Sequence, residues 1–296
     1  MNTTDPYLIK QKADNLMNSN TNILFDLFLC RSSQRNEHIG ELYERAGSLY
    51  LTKKNYDLAI ESFCNAIKIY ETMSHFEKET ITCYEKLFKC YKNGNLDKAI
   101  ECMVIITDYY RNNNNYTELI KNYLHIGDLF AKQDFGKAIE YYEKAKKYAQ
   151  LNNKISYLIE IYERIYKLLM DNKEYKGVLL VFEEYLNLIK DDKLYRYRAF
   201  EILFKEILCK LYLNYNITDY LNDSINIFPM FSDTVDYEII IGISNSIDNK
   251  NIDSFEKTLK NYNKIKKFDK QHCDVLNEIK KKILFVDLNE VIHDFR

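Results

Sequence analysis

The sequence predicts an all-α protein, a right-handed α-solenoid of antiparallel helix pairs that ends in a C-terminal helical bundle. Two observations lead to this prediction. The 296 residues include only 7 Gly and 2 Pro, too few for the many turns of a sandwich or barrel, while 46% are hydrophobic. In addition, a short phrase that resembles a helix start recurs about every forty residues, which is typical of repeat architectures.

The recurring phrase begins with a polar residue suited to cap a helix, and a small or β-branched residue follows four positions later. These later residues are spaced 40, 39 and 40 positions apart: Ala59, Ala99, Ala138 and Val178. Apolar residues return four and seven positions after each of them, so they share one helix face. The phrases are NYDLAI, NLDKAI, DFGKAI and EYKGVL, and a weaker echo, NIDSF, ends at Phe255. Each phrase therefore predicts the start of a helix.

A second helical pattern precedes each phrase, so every period contains two helices. Gly47 with Ala59, and Gly127 with Ala138, are predicted to let the two helices of a pair approach closely. The gaps between the helices are predicted to be filled by four aromatic residues: Tyr50, Tyr56, Phe130 and Phe135. This pattern is tetratricopeptide-like, although the usual tetratricopeptide unit has about 34 residues. Because one unit cannot bury its apolar face alone, interfaces between neighbouring units should supply the stability. A generic helical bundle with accidental spacing is the alternative.

Composition and motifs argue against several function classes. A net charge of −2 gives no field that would attract nucleic acid. The glycines stand singly rather than in a phosphate-binding loop, and the five histidines lack metal-site spacing. We therefore expect no enzyme, no cofactor and no metal. Seven scattered cysteines without a CxxC pair predict reduced thiols and a cytoplasmic location.

Three stretches together resemble one known family, the soluble NSF-attachment proteins (SNAPs) of the α type. They are residues 41–70, 116–148 and 228–269. The most specific part is the FP-x-FSD motif at Phe228 to Asp233, followed by NIDSF and YNKI. The resemblance implies a peripheral membrane adaptor without enzymatic activity. Such an adaptor binds SNARE four-helix bundles of the syntaxin, SNAP-25 and synaptobrevin type, and recruits the hexameric AAA+ ATPase NSF to disassemble them.

The resemblance also implies which residues make each contact. The expected SNARE-binding residues are basic: Lys54, Lys92, Lys121, Arg164, Arg196 and Arg198. Asn115, Glu160 and Val235 depart from the family, which carries basic residues there. The expected membrane-contact residues are apolar: Leu24, Phe25, Leu27 and Phe28. The expected NSF-binding residues end an acidic, apolar tail: Asp294, Phe295 and Arg296.

The predicted organisation has three parts. Residues 1–35 hold an N-terminal helix and an apolar membrane-contact loop, 36–230 form the repeat solenoid, and 231–296 form a C-terminal bundle with an acidic tail. Two alternative functions stay open: a helical-repeat scaffold for another protein partner, and a divergent SNAP that binds SNAREs without activating NSF.

Overall fold

A computed structural model describes residues 5–19 and 31–294 of the chain, apart from the side chains of residues 31, 32, 193, 196 and 285–294. Within these ranges all regular structure is helical, with fourteen α-helices, two short 3-10 helices and no strand. The prediction of an all-α, tetratricopeptide-like class is therefore confirmed. The chain divides into two compact units, Met1–Lys154 and Ile155–Arg296. The predicted three-part division of the chain stays a prediction.

Unit 1 is a stack in which each helix packs mainly on the next one along the chain. Its helices are α1 (Pro6–Asn18), α2 (Arg31–Thr52), α3 (Tyr56–Tyr70), α4 (Glu77–Tyr91), α5 (Leu96–Asn112), α6 (Tyr116–Phe130) and α7 (Phe135–Leu151).

Unit 2 is arranged around its third helix, α10, which packs against α9, α12 and α14. Two 3-10 helices, Lys193–Tyr195 and Pro229–Asp233, precede α10 and α12. The α-helices are α8 (Ile155–Asp171), α9 (Tyr175–Ile189), α10 (Arg196–Tyr212), α11 (Thr218–Ile227), α12 (Val235–Asp248), α13 (Ile252–Ile265) and α14 (Lys270–Asp294).

The recurring phrase is a helix start in the structure, as predicted. In the first three phrases the side chain of the polar residue accepts a hydrogen bond from the backbone N–H three positions further along the chain. These polar residues are Asn55, Asn95 and Asp134. In the fourth phrase Glu174 precedes α9 without such a bond. Asn251 of the echo caps α13, because its side chain accepts from the Ser254 N–H at 2.8 Å. Side-chain capping of this kind stabilises a helix by about 1 kcal/mol.

Several turns between helices are closed by a non-glycine residue in the left-handed region. At Lys54, φ is 60°, and the next N–H, of Asn55, donates to the Tyr50 carbonyl at 2.9 Å. This geometry satisfies carbonyls that the end of α2 would otherwise leave unpaired. The same conformation recurs at Asn114, Asn153, Lys173, Asn214 and Lys250. Lysine and asparagine thus serve where glycine would be the usual choice.

Two glycines let helices within a pair approach closely, which confirms the prediction for Gly47 and Gly127. A Cβ placed on Gly47 would lie 2.7 Å from the ring of Phe63, and one on Gly127 would lie 2.4 Å from the ring of Tyr142. Both rings are buried. The gap-filling prediction is confirmed for Tyr50, which is buried, and is wrong for Tyr56, which begins α3 and is exposed.

Many of the 26 tyrosines pack their rings between helices and donate their hydroxyl to a carboxylate on another helix. Tyr70 donates to Glu44 at 3.1 Å, and Tyr110 donates to Glu85 at 3.1 Å. Burial, followed by the charge of Glu85, raises the pKa of Tyr110 to about 12. The same arrangement occurs in the pairs Tyr43–Asp14, Tyr142–Asp128, Tyr162–Glu184, Tyr220–Glu206 and Tyr262–Asp236. Such bonds anchor carboxylates that would otherwise be free to attract cations.

Candidate partner-binding surfaces

Three of the predicted SNARE-binding residues lie in unit 1. Lys54 is exposed in the turn between α2 and α3, and Lys92 is exposed at the end of α4. Neither forms an ion pair with another described residue. Because short turns make successive helices antiparallel, these two turns lie at the same edge of unit 1. Lys121 lies inside α6, and its Nζ is 2.6 Å from Glu118 Oε1. The structure therefore brings Lys54 and Lys92 to one edge and leaves Lys121 on a helix.

The other three predicted residues lie in unit 2. Arg164 Nη1 is 2.6 Å from Glu160 Oε1 within α8. Arg198, on α10, forms a short ion pair with Glu163, and also donates to the Tyr185 hydroxyl at 3.4 Å. The side chain of Arg196 lies outside the described part of the structure. Both described arginines are thus already paired with a carboxylate.

These ion pairs set the strength that a contact with an acidic partner can reach. A partner's carboxylate competes with Glu118, Glu160 or Glu163 for the predicted cations of the helices. An exposed pair contributes only about 0.2–1 kcal/mol, and the exchange of one carboxylate for another gains less. No carboxylate among the described residues competes for Lys54 or Lys92. They are therefore the strongest candidates for binding an acidic surface.

Two of the three expected departures, Asn115 and Glu160, make a local contact of their own. The side chain of Asn115 accepts from the Glu118 N–H at 3.4 Å and so caps α6. Glu160 pairs with Arg164, as described above. Val235 begins α12 and lines a surface groove. The contacts of Asn115 and Glu160 are ones that a lysine or arginine at the same position would not reproduce.

The remaining predicted contacts fall outside the described residues. Leu24, Phe25, Leu27 and Phe28 lie there, as do Phe295 and Arg296. Asp294 ends α14, and its side chain is not described. In the described part of the chain, no helix has the length and apolar character needed to cross a membrane.

A buried ion cluster in unit 2 was not predicted from the sequence. Lys205, on α10, is 3% exposed, and its Nζ lies 2.9 Å from both Glu201 Oε1 and Asp269 Oδ2. Asp269 Oδ1 lies 2.8 Å from His272 Nδ1. Burial alone would lower the pKa of Lys205, but Tyr166 and the two carboxylates raise it overall. The cluster therefore holds a fully charged lysine inside the protein.

A second buried charge follows directly in the same helix. Glu206 accepts a hydrogen bond from the Tyr220 hydroxyl at 2.5 Å and lies 3.4 Å from Lys210 Nζ. Burial raises the pKa of this carboxyl group. The sequence signal for both sites was a lysine and a glutamate inside the apolar run LFKEILC. Among the described residues, no group of three or more His, Cys, Asp or Glu side chains could hold a metal ion.

A cavity of about 510 Å³ lies beside the Lys205 cluster, with Arg198, Lys205, Asp269 and Lys270 in its lining. Lys270 Nζ is 3.2 Å from Asp171 Oδ1, so each of these cations is paired within the cavity wall. Lys167, which also lines the cavity, has no carboxylate partner among the described residues. The pairing of the other three cations fits a structural role.

The FP-x-FSD motif forms the turn that connects α11 to α12. Phe228 and Phe231 are buried, and the ring centre of Phe231 lies 5.8 Å from that of Phe200 on α10. Met230, between them, is exposed. The two phenylalanines thus anchor the 3-10 helix to the core of unit 2, and this anchoring places Met230 on the surface.

Comparison with known proteins shows similarity along nearly the whole chain. The family model described as "Soluble NSF attachment protein, SNAP" matches residues 5–284. Human alpha-soluble NSF attachment protein is 24% identical over 259 residues, 85% of this chain and 86% of the relative. A soluble NSF attachment protein homolog from fowlpox virus is 23% identical over 266 residues, 88% of this chain and 92% of the relative. The crystal structure of apo RapI aligns over 93% of this chain and 99% of its own, with 13% identity and a TM-score of 0.40.

Proposed function

The chain belongs to the soluble NSF attachment protein family, and on that premise we propose that it is a non-enzymatic adaptor for SNARE disassembly. It binds the SNARE four-helix bundle and recruits an NSF-type hexameric ATPase that separates the helices. The observation that supports this proposal most strongly is the family match over residues 5–284, which includes both compact units.

The proposed SNARE contact uses cations against an acidic coiled coil. Lys54 and Lys92 provide it at the turn edge of unit 1, where no described carboxylate competes for them. Further contacts come from three cations that are paired with nearby glutamates, so the partner competes with those glutamates: Lys121, Arg164 and Arg198. Arg196 adds a fourth contact through a side chain that is not described. Because charges of this kind are screened, binding should weaken as salt concentration rises.

The other two proposed contacts are those of the chain ends. Leu24, Phe25, Leu27 and Phe28 give a weak, reversible membrane contact, since a few apolar side chains at an interface supply limited energy. Asp294, Phe295 and Arg296 couple the adaptor to the ATPase, whose partner surface is expected to be basic.

The proposal is tested by disassembly of preformed SNARE complexes with a cognate NSF-type ATPase and ATP. The intact chain is expected to bind the complexes and support their disassembly. Deletion of residues 294–296 is expected to leave binding intact and to abolish disassembly, because the coupling contact is lost. Binding is measured by co-sedimentation, and disassembly by loss of the SDS-resistant complex. Failure of the intact chain to bind any SNARE bundle would contradict the proposal and favour a scaffold for another partner.

Two further arms of this assay separate the remaining possibilities. Binding without disassembly by the intact chain would identify a divergent SNAP that does not activate the ATPase. The double variant Phe25→Ser, Phe28→Ser is expected to lower disassembly of liposome-anchored complexes and to spare soluble ones. Equal loss on both substrates would show that these side chains serve the fold and not a membrane contact.

Removal of the Glu160 carboxylate is expected to strengthen SNARE binding. In Glu160→Gln, Arg164 loses the carboxylate that lies 2.6 Å away, so a partner's acidic residue no longer competes with it. We expect the affinity to rise about two- to fivefold at low salt, the range that corresponds to one exposed ion pair. Titration of a labelled SNARE bundle, monitored by fluorescence anisotropy, measures the change.

A matched control is available in α7. Glu140 pairs with Lys144 at 2.6 Å with the same spacing of four residues, and Lys144 is not a predicted contact. Glu140→Gln should therefore leave the affinity unchanged. If both variants raise the affinity equally, the gain reflects net charge and not a contact at Arg164.

A further inference from the structure

A surface groove of about 830 Å³ lies in unit 2, between the starts of α10 and α12 and the end of α13. We call it the Met230 groove. Three large apolar side chains of its wall are mostly exposed: Tyr197 77%, Met230 51% and Ile265 69%. Phe200 and Val235 also line it. Exposed apolar side chains that share one groove mark an interaction site.

Carboxylates outnumber cations in the lining of the Met230 groove. The two lysines are Lys266 and Lys267, and the four carboxylates are Glu201, Asp233, Asp236 and Asp269. Lys266 neutralises Asp236, because its Nζ lies 2.6 Å from Asp236 Oδ2. Asp233 is exposed, and its described contact is the Ser232 hydroxyl at 3.5 Å. The groove therefore presents more negative than positive charge to an occupant.

The lysine that pairs with two of these carboxylates lies behind the wall. Lys205 Nζ is 2.9 Å from both Glu201 Oε1 and Asp269 Oδ2. The Lys205 side chain is only 3% exposed, whereas the Glu201 side chain is 52% exposed and that of Asp269 is 44% exposed. An occupant therefore meets the carboxylates and not the lysine, and this single lysine leaves one of the two negative charges uncompensated.

A buried acceptor in the wall also lacks a donor. His272 lines the groove and is 6% exposed, and its Nδ1 lies 2.8 Å from Asp269 Oδ1. The Asp269 backbone nitrogen is further from Nδ1, at 3.3 Å, so the carboxylate places the ring proton on Nδ1. In the neutral ring Nε2 is then an acceptor, and it has no hydrogen-bond partner among the described residues. Because a buried polar atom without a partner is costly, an occupant that donates an N–H to Nε2 removes this cost.

We propose that the Met230 groove binds a partner protein through an apolar segment that carries arginine. Arginine has five N–H donors and no acceptor, which suits a wall that presents carboxylates and an unpaired Nε2. The methylene stem of the arginine, and the apolar residues beside it, pack on the exposed apolar side chains of the wall. The proposed SNARE contact has the opposite polarity, because there the cations belong to this chain. The inference therefore goes beyond the proposed function and does not depend on it.

The test is titration of fluorescein-labelled synthetic peptides with the intact chain, measured by fluorescence anisotropy. The probe is an amphipathic peptide of about 18 residues, with leucines at helical spacing and arginines beside them. Two matched peptides replace every arginine with lysine or with glutamate. We expect saturable binding of the arginine peptide and about threefold weaker binding of the lysine peptide, because a lysine lacks the planar fork that pairs with a carboxylate at two points. The glutamate peptide should bind at least about tenfold more weakly.

Variants of the chain show whether the peptide occupies the groove. Asp233→Asn should weaken binding of the arginine peptide about threefold at low salt, and the difference should disappear near about 1 M salt. Ile265→Ser should weaken it about tenfold, because apolar contact is lost. Two controls lie outside the groove: Asp253→Asn changes an exposed aspartate in the first turn of α13, and Leu180→Ser changes an exposed leucine of α9. Both should bind like the unmodified chain.

Three results would overturn the proposal. The first is the absence of saturable binding of the arginine peptide. The second is equal affinity for the arginine and glutamate peptides, which would show that only apolar contact matters. The third is equal weakening by Asp233→Asn and Asp253→Asn, which would show that the peptide responds to net charge and not to the groove. Far-UV circular dichroism verifies that each variant is folded.

Discussion

Replacing Asp269 with alanine is expected to lower the free energy of unfolding by about 2–4 kcal/mol, because a charge-assisted hydrogen bond and a helix cap are lost together while Glu201 still pairs with Lys205. Asp269 Oδ2 lies 2.9 Å from Lys205 Nζ, and Lys205 is almost completely buried. The Asp269 side chain also accepts the His272 backbone N–H at 2.8 Å and so caps α14. The variant thus loses a charge partner and a cap together. Urea denaturation followed by far-UV circular dichroism measures the change.

The control for this prediction is a capping aspartate without a buried partner. Asp134 caps α7 by accepting the Lys137 N–H at 3.0 Å, and the Lys137 side chain is exposed. Asp134→Ala should therefore cost about 1 kcal/mol, the typical value for a lost cap. If the two variants lose the same stability, the buried lysine is not held by Asp269 and the prediction is wrong.

The pH dependence of the Asp269 contribution has a definite sign. Burial alone would raise the pKa of Asp269, but hydrogen bonds from His272 and Lys205 lower it well below its usual range. A carboxyl group whose pKa is lowered in the folded state stabilises the fold fully above its unfolded pKa, near 3.9, and less as pH falls below that value. The stability difference between the unmodified chain and Asp269→Ala should therefore be constant near pH 7 and shrink below about pH 4.

The parts of the fold that could be predicted from the sequence are those governed by local chemistry. The capping residues Asn55, Asn95 and Asp134 act within three positions of themselves, so their pattern was visible in the phrases. The packing of Gly47 and Gly127 against a ring followed from the same period, because each pair of helices repeats the geometry of the last.

The features that escaped prediction depend on contacts between distant parts of the chain. Lys205 and Asp269 are 64 positions apart, and their pairing requires α10 and the start of α14 to be adjacent. Arg198 meets Glu163 across 35 positions. In contrast, Glu160 and Arg164 lie about one helix turn apart, and their spacing of four positions in the sequence is enough to predict an ion pair. The sequence shows which residues are basic, whereas the fold decides which of them are already neutralised.

The candidate surfaces also show why family resemblance alone leaves the contacts open. The FP-x-FSD motif was the most specific sequence feature, and the structure gives its two phenylalanines a role in packing. Its exposed residue, Met230, faces a groove that the family comparison does not address. A motif can therefore identify a family through its core residues while the residue between them is exposed on the surface.

Replacing Gly127 with valine is expected to lower the free energy of unfolding by about 3 kcal/mol or more, at or above the usual cost of overpacking. A Cβ at this position would lie 2.4 Å from Cε1 and 2.6 Å from Cδ1 of Tyr142. The ring cannot move away easily, because it is buried and its hydroxyl donates to Asp128 at 2.8 Å. The two helices α6 and α7 must therefore separate, which weakens the packing along the pair.

Gly136→Val is the matched control, because Gly136 also lies in a helix, α7, and a Cβ there would meet only the Asp134 side chain, at 3.5 Å. The helix propensities of glycine and valine differ by only about 0.5 kcal/mol, so the control should change stability little. The same denaturation experiment compares both variants with the unmodified chain. If Gly127→Val is as stable as Gly136→Val, close approach of α6 and α7 is not required, and the steric explanation for glycine at this position is wrong.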